Sequence, residues 1–134
     1  MTCYDSSVKL LITGLPKSGK STLLESLVSR YNGVAQGFIT REITDGEKRR
    51  GFEIITSNRD HALLAQTEIE TDFPVGRFFA MPDNMSKVLE SISEPSSADL
   101  LYIDEIGQMQ LLSRHFRALL NSYLNSNKTF LASV

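Results

Sequence analysis

Cysteine is nearly absent from this chain: Cys3 is the only one among 134 residues. An intrachain disulfide is therefore impossible, and a metal cage built from several thiolates is excluded. That usage fits a reducing compartment. Charge of one sign is also scarce. Fourteen Lys plus Arg stand against sixteen Asp plus Glu, a formal net charge of −2. Bulk electrostatics does not equip such a chain to grip phosphate backbones, and no nucleic-acid partner is expected. No apolar run approaches the ~18 residues that a membrane-spanning helix needs. Met1 to Lys9 carry Asp5 and several hydroxyls, with no apolar stretch behind a basic start, so no secretory leader is read there. The expectation is a soluble, cytoplasmic protein without a membrane partner. His61 and His115 are the only histidines and stand alone. No His-x-x-x-His pair, Ser-His-Asp set or nucleophile elbow is present.

What remains has ordinary proportions, with 41% apolar and 22% charged residues. The length predicts one domain spanning 1–134. A chain of this size buries roughly two-thirds of its unfolded surface, enough for a core without cross-links. There are no internal repeats. Val8 to Thr13 is a short apolar run that reads as a strand buried on both faces. From Ser21 onward, Leu23, Leu24, Leu27, Val28 and Tyr31 fall at helical spacing, with Asn32-Gly33 as a stop. Two β-rich runs, Gly37 to Ile43 and Arg50 to Thr56, flank Asp45-Gly46 and predict an antiparallel hairpin. Ala62 to Ala65 reads as either a turn of helix or a short strand, and Gly76 to Ala80 as a strand. Asp83 or Asn84 is expected to cap a helix with Met85, Val88, Leu89 and Ile92 on its apolar face. Ser93 to Ser97, with Pro95, reads as a loop. Leu100 to Ile103 is a second buried strand, the region after Gly107 a helix with Leu112, Phe116, Leu119, Leu120, Tyr123 and Leu124 on one stripe, and Thr129 to Val134 a last strand. Strands alternating with helices predict an α/β fold with a mainly parallel sheet plus the hairpin.

Gly14-Leu15-Pro16-Lys17-Ser18-Gly19-Lys20-Ser21 matches G-x-x-x-x-G-K-[ST] without departure. With 8 Gly, 6 Lys and 25 Ser plus Thr in the chain, chance supplies such a match in roughly 0.4% of shuffled sequences. The context also fits: an apolar strand before, an amphipathic helix after. Glycines let successive backbone N–H groups turn inward onto phosphate oxygens. The unpaired N–H groups and positive dipole end of the following helix point at the same anion. The predicted binding segment is Gly14 to Thr22, including Leu15, Pro16, Lys17, Ser18 and Gly19. Lys20 is expected to reach the β- and γ-phosphates, and the Ser21 hydroxyl to ligate Mg²⁺. Lys17 stands where Gly is common and is expected to face solvent.

Asp104-Glu105 follows the strand Leu100 to Ile103 directly. In open α/β sheets ligands bind outside the carboxyl ends of the strands, which predicts Asp104 beside the phosphate loop as a second Mg²⁺ residue. Glu105 is expected to polarise or deprotonate the attacking water. Arg41, Lys48, Arg49 and Arg50 cluster on the hairpin. Any of these, or Arg77, Arg114 or Arg117, is a candidate for neutralising transition-state charge, although a charge run in a turn is more often a solvated face.

Taken together these blocks resemble the THEP-type, or cancer-related, nucleoside-triphosphatase family. The resemblance rests on Gly14 to Ser21, Gly37-Phe38-Ile39-Thr40 with Glu42, Arg49 with Gly51-Phe52, Val75-Gly76, and Ile103-Asp104-Glu105-Ile106-Gly107 followed by Met109 and Leu111. It implies a three-layer, RecA-like P-loop core and slow, Mg²⁺-dependent hydrolysis of several nucleoside triphosphates such as ATP and GTP. Catalytic roles would fall to Lys20 and Glu105. It also implies that Ser133, where the family has Thr, senses the γ-phosphate. Gln108 and Gln110 replace a Lys and a Glu of the family pattern. Family members continue past the final strand with further strands and much of the base pocket, so the chain is expected to be C-terminally truncated or weak in base recognition. Self-association through the C-terminal strand is expected on the same ground. The alternatives are a P-loop small-molecule kinase, which would need an acceptor pocket and lid, and a nucleotide switch with negligible turnover.

Overall fold

The computed structural model describes residues 8–15, 18–92 and 97–134. Cys3, Pro16, Lys17 and Pro95 lie outside the described residues. The chain opens with β1 (Lys9–Ile12) and α1 (Lys20–Ser29). Next come β2 (Ala35–Asp45), β3 (Lys48–Thr56), β4 (His61–Gln66), β5 (Pro74–Val75) and β6 (Phe78–Ala80). They are followed by α2 (Pro82–Leu89), a 3₁₀ turn at Glu90–Ile92, β7 (Leu100–Asp104), α3 (Gln108–Leu111), α4 (Arg114–Asn125) and β8 (Thr129–Ser133).

The strands form one sheet in the order β1-β8-β7-β2-β3-β4-β6-β5. The expectation of a mainly parallel sheet is corrected: it is mixed. β1, β8, β7 and β2 run parallel, whereas β3, β4, β6 and β5 continue it antiparallel. Connection length decides this. β2 and β3 are joined by Gly46 and Glu47 alone, and β5 and β6 by Gly76 and Arg77. So short a link permits only antiparallel neighbours, since a parallel pair needs a crossover of a dozen or more residues. Gly46 and Gly76 have φ of +63° and +61°, a conformation that glycine adopts without steric penalty. The predicted hairpin is present, Ala62 to Ala65 is strand, and the predicted Gly76 to Ala80 strand divides at its glycine into β5 and β6.

Side-chain alternation sorts the core onto two faces. Leu100, Tyr102 and Leu131 face α1 and meet its Leu24. Leu101, Ile103, Phe130 and Ala132 face the other way, against Met85 and Leu89 of α2 and Phe116, Leu119 and Tyr123 of α4. Two helical layers therefore enclose the sheet. T-shaped ring pairs, Phe38–Phe116 and Tyr123–Phe130, tie α4 to β2 and β8 with centroids 5.8 and 5.5 Å apart.

Several local expectations change. β1 is an edge strand, not one buried on both faces: Leu10 and Leu11 are 44% and 52% exposed, and among the described residues β8 is its one strand neighbour. In α1 Leu24 is buried but Leu23 and Leu27 are exposed, as is Tyr31 beyond the helix end. That helix ends at Arg30 in right-handed geometry, ahead of Asn32-Gly33. α2 starts at Pro82, whose missing N–H costs nothing at a first helical position. Asn84 does not cap it but donates to the Leu63 carbonyl at 3.1 Å. The single helix expected after Gly107 is interrupted at Leu112–Ser113, where Ser113 caps α4 by accepting from the Phe116 N–H at 3.1 Å. The C-terminal strand has no free edge: β8 is paired on both sides, by β1 and β7.

Candidate functional site

The carboxyl ends of β1, β8 and β7 lie at one rim, and the chain leaves β1 there to enter α1. Around the predicted phosphate loop, the Ser18 N–H donates to the Leu15 carbonyl at 3.1 Å. A side chain at Gly14 would meet the Ser18 Oγ at 2.6 Å. Gly19 precedes α1 with φ +91° and accepts from the Leu23 N–H at 2.9 Å. This left-handed residue lets the chain turn abruptly from loop to helix and leaves the first N–H groups of α1 pointing out of the rim. Leu15 is 80% exposed, and Thr22 in the first turn is exposed as well.

The structure brings the predicted Mg²⁺ pair together. The Ser21 Oγ donates to Asp104 Oδ1 at 3.0 Å across 83 residues of sequence. Asp104 is 2% exposed, and its Oδ1 also accepts from the Ser133 hydroxyl at 2.6 Å. Asp104 Oδ2 is buried with no hydrogen-bond partner among the described residues. A bare carboxylate oxygen in the interior is costly unless a cation or donor meets it. Lys20 lies alongside, its Nζ donating to the Val134 carbonyl at 2.6 Å and standing 3.7 Å from the Glu105 carboxylate. Glu105 is the more open of the two acids, with 42% of its side chain exposed.

These groups line a cleft of about 410 Å³ that is completed from β2 and β3 by Thr40, Arg41, Glu42, Arg49 and Phe52, and from α1 by Glu25. Of the seven candidate cations, the cleft therefore gathers two. Arg41 pairs with Glu25 at 3.3 Å and Arg49 with Glu42 at 2.8 Å. Arg50 instead pairs with Glu68 and Asp45, Arg77 lies over the Phe78 ring, and Arg117 donates to the Leu111 carbonyl at 2.7 Å. His61 lies in a separate groove beside α2 with Lys87 and Asn84. Glu25 is a cleft residue outside the sequence motifs, and its signal is its spacing: it is four residues from Ser21, on the same helix face. Ser133 is fully buried, and its proton goes to Asp104.

A cation would fit here. Among the described residues no cluster of three or more His, Cys, Asp or Glu forms. The local set is one hydroxyl and one carboxylate with a bare oxygen, few hard oxygen donors that leave room for phosphate and water. Mg²⁺ favours that kind of ligand set. Among the described residues no helix is long and apolar enough to cross a membrane. Away from the cleft, burial raises the phenol of Tyr102, despite a side-chain hydrogen bond with Ser57 that opposes the shift.

A profile of the family described as NTPase matches residues 9–134. The nucleoside-triphosphatase THEP1 of Thermotoga maritima is 38% identical over 129 residues, covering 95% of this chain and 74% of that protein. The crystal structure of THEP1 from Aquifex aeolicus superposes with a TM-score of 0.82 at 30% identity, over 94% of this chain and 76% of that one. The solution structure of a human cancer-related nucleoside triphosphatase gives 0.71 at 25% identity, over 93% and 74%.

Proposed function

The chain belongs to the NTPase family, and from that premise we propose that it hydrolyses nucleoside triphosphates, ATP and GTP among them, in a Mg²⁺-dependent reaction at the rim cleft. The observation that carries this reading is the Ser21–Asp104 contact beside Lys20, with one Asp104 oxygen left bare.

The roles follow from where each group sits. N–H groups at the start of α1 bind phosphate oxygens, and the helix dipole adds to their pull. Lys20 leaves the Val134 carbonyl and the Glu105 carboxylate to meet the β- and γ-phosphates. Ser21 and Asp104 would hold a Mg²⁺ ion, which would supply neutralisation of the charge that develops on the transferring group. A serine hydroxyl has one proton and two lone pairs. Ser21 can thus donate to Asp104 and still offer an electron pair to the cation. Glu105, partly open to the cleft, orients the water and accepts its proton as the water oxygen attacks the γ-phosphorus and the bond to the leaving diphosphate breaks. Arg41 and Arg49, held by Glu25 and Glu42, face the same space and stabilise charge on the transferring group.

The test is phosphate release from ATP and GTP by the parent chain, Glu105→Gln and Lys20→Ala. Glu105→Gln is expected to keep nucleotide affinity and lose turnover by on the order of 10²–10⁴-fold. Lys20→Ala is expected to lose binding. Diphosphate formed only when an acceptor metabolite is added, with the phosphoryl group carried on that acceptor instead of released, would replace the reading with a kinase, and tight binding without turnover would replace it with a switch.

A further inference from the structure

We infer that Ser133 is a positioning residue for the metal site: it fixes Asp104 so that one carboxylate oxygen is committed to the protein and the other is left for the cation. The inference deepens the Mg²⁺ reading above and rests on it. Three contacts carry it. The Ser133 hydroxyl donates to Asp104 Oδ1 at 2.6 Å, the same oxygen that accepts from Ser21 at 3.0 Å. The opposite oxygen, Oδ2, is buried and unpartnered. The Ser133 carbonyl accepts from the Ile106 N–H at 2.8 Å. One residue of β8 therefore pins both ends of the Asp104–Glu105–Ile106 segment, by its side chain at one end and its backbone at the other.

Two hydroxyl donors on one oxygen set the plane of the carboxylate, because a carboxylate only accepts and its orientation follows its donors. With Ser133 in place, rotation about the Asp104 side chain would break two charge-assisted bonds, so Oδ2 stays presented. Ser133 itself is fully buried, and its single proton is engaged, which leaves it none to donate to a γ-phosphate. Phosphate sensing and carboxylate positioning thus make opposite forecasts. A sensor distinguishes triphosphate from diphosphate. A positioning residue affects both equally, and only when metal is present.

The experiment measures binding of fluorescent N-methylanthraniloyl ADP and of its non-hydrolysable triphosphate analogue, in excess Mg²⁺ and in EDTA. The expected result for Ser133→Ala is a loss of about 10- to 100-fold in Mg²⁺-dependent affinity, equal for both nucleotides. Affinities in EDTA should stay at the parent level, and Ser133→Thr should restore binding. The backbone bond to Ile106 survives these changes, which keeps the effect on the metal side. Should the Ala variant not fold, Ser133→Cys, a near-isostere with a weak donor, is expected to show the same pattern at smaller size. A loss confined to the triphosphate overturns the inference in favour of sensing. An equal loss in EDTA reduces Ser133 to structural support, and no loss removes it from the site. A parent chain that binds equally with and without Mg²⁺ overturns the magnesium reading itself.

Discussion

The rim at the carboxyl ends of β7 and β8 and the core just beneath it treat buried polar groups in opposite ways. In the core, Gln36 donates to the Ile92 carbonyl and, at 3.2 Å, to the Tyr123 hydroxyl, which in turn donates to Ile92. At the rim, Asp104 Oδ2 is left bare. The Gln36–Tyr123–Ile92 cluster is closed and matched, whereas among the described residues Asp104 Oδ2 and, just after β4, Thr67 Oγ1 are buried without a partner. Of these two only Asp104 lines the cleft with Lys20 and Ser21. Stability and function are thus separated by only a residue or two along β7, where Ile103 packs into the core and Asp104 opens the site.

The sharpest way to break the comparison is Asp104→Ala. It should lower turnover on the order of 10³-fold, the scale of losing a charge-stabilising group in a closed site. The thermal midpoint should change little, because the variant also removes an unmatched buried oxygen. Phosphate-release kinetics beside a melting curve checks both. A large fall in midpoint would mean that the rim is as much a part of the scaffold as the core.

A core change should do the reverse. Gly37 lies where β2 meets β7, and a Cβ there would stand 1.8 Å from the Tyr102 carbonyl oxygen. Since the obstacle is backbone in the adjoining strand, Gly37→Ala should destabilise by about 3 kcal/mol or more in denaturant titration. Gly76→Ala, whose Cβ meets nothing but whose φ is +61°, should cost about 1 kcal/mol. Equal costs would show that the β2–β7 seam is looser than its geometry.

How much of this was legible in sequence follows from distance along the chain. The phosphate loop and the acidic strand end are contiguous strings whose chemistry depends on local backbone, and Ser21 and Asp104 from the two strings stand within hydrogen-bond reach. Asp104 could be placed beside Ser21 through a general rule about strand ends. The partners of the hairpin arginines could not. Arg49 meets Glu42 because of a register shift between Ile43 and Thr44, and Gln110 donates to Thr40 from 70 residues away. Nor did periodicity reveal that the sheet turns antiparallel past β3, since short loops fix direction only once the strands between them are known. The position of Ser133 at a strand end is legible in sequence, but its role depends on where a proton points.

Arg49 and Arg50 offer a smaller test of the same contrast, as adjacent side chains on β3 with different partners, Glu42 in the cleft for the first and Asp45 and Glu68 for the second. Arg49→Ala, which opens the cleft and frees Glu42, is expected to reduce kcat on the order of 10²-fold. Arg50→Ala removes surface pairs with Asp45 and Glu68 and should leave kcat within about twofold and stability within about 1 kcal/mol. Equal effects on kcat would mean that the hairpin acts through its overall charge.

The smallest effect concerns the core alone. Burial raises the Tyr123 phenol well above its ordinary value of 10.0, against the lowering effect of its hydrogen bond with Gln36. The folded state therefore holds a proton that the unfolded chain releases near pH 10. The corresponding stability is complete below that pH and is lost as pH rises toward the folded value, at up to about 1.4 kcal/mol per pH unit. Tyr123→Phe should cost about 1 kcal/mol at neutral pH through the lost hydrogen bonds. It should also flatten the fall of the melting midpoint above pH 10 relative to the parent. Parallel midpoint curves would mean that the hydroxyl reaches water, and that the core is less closed than the rim it supports.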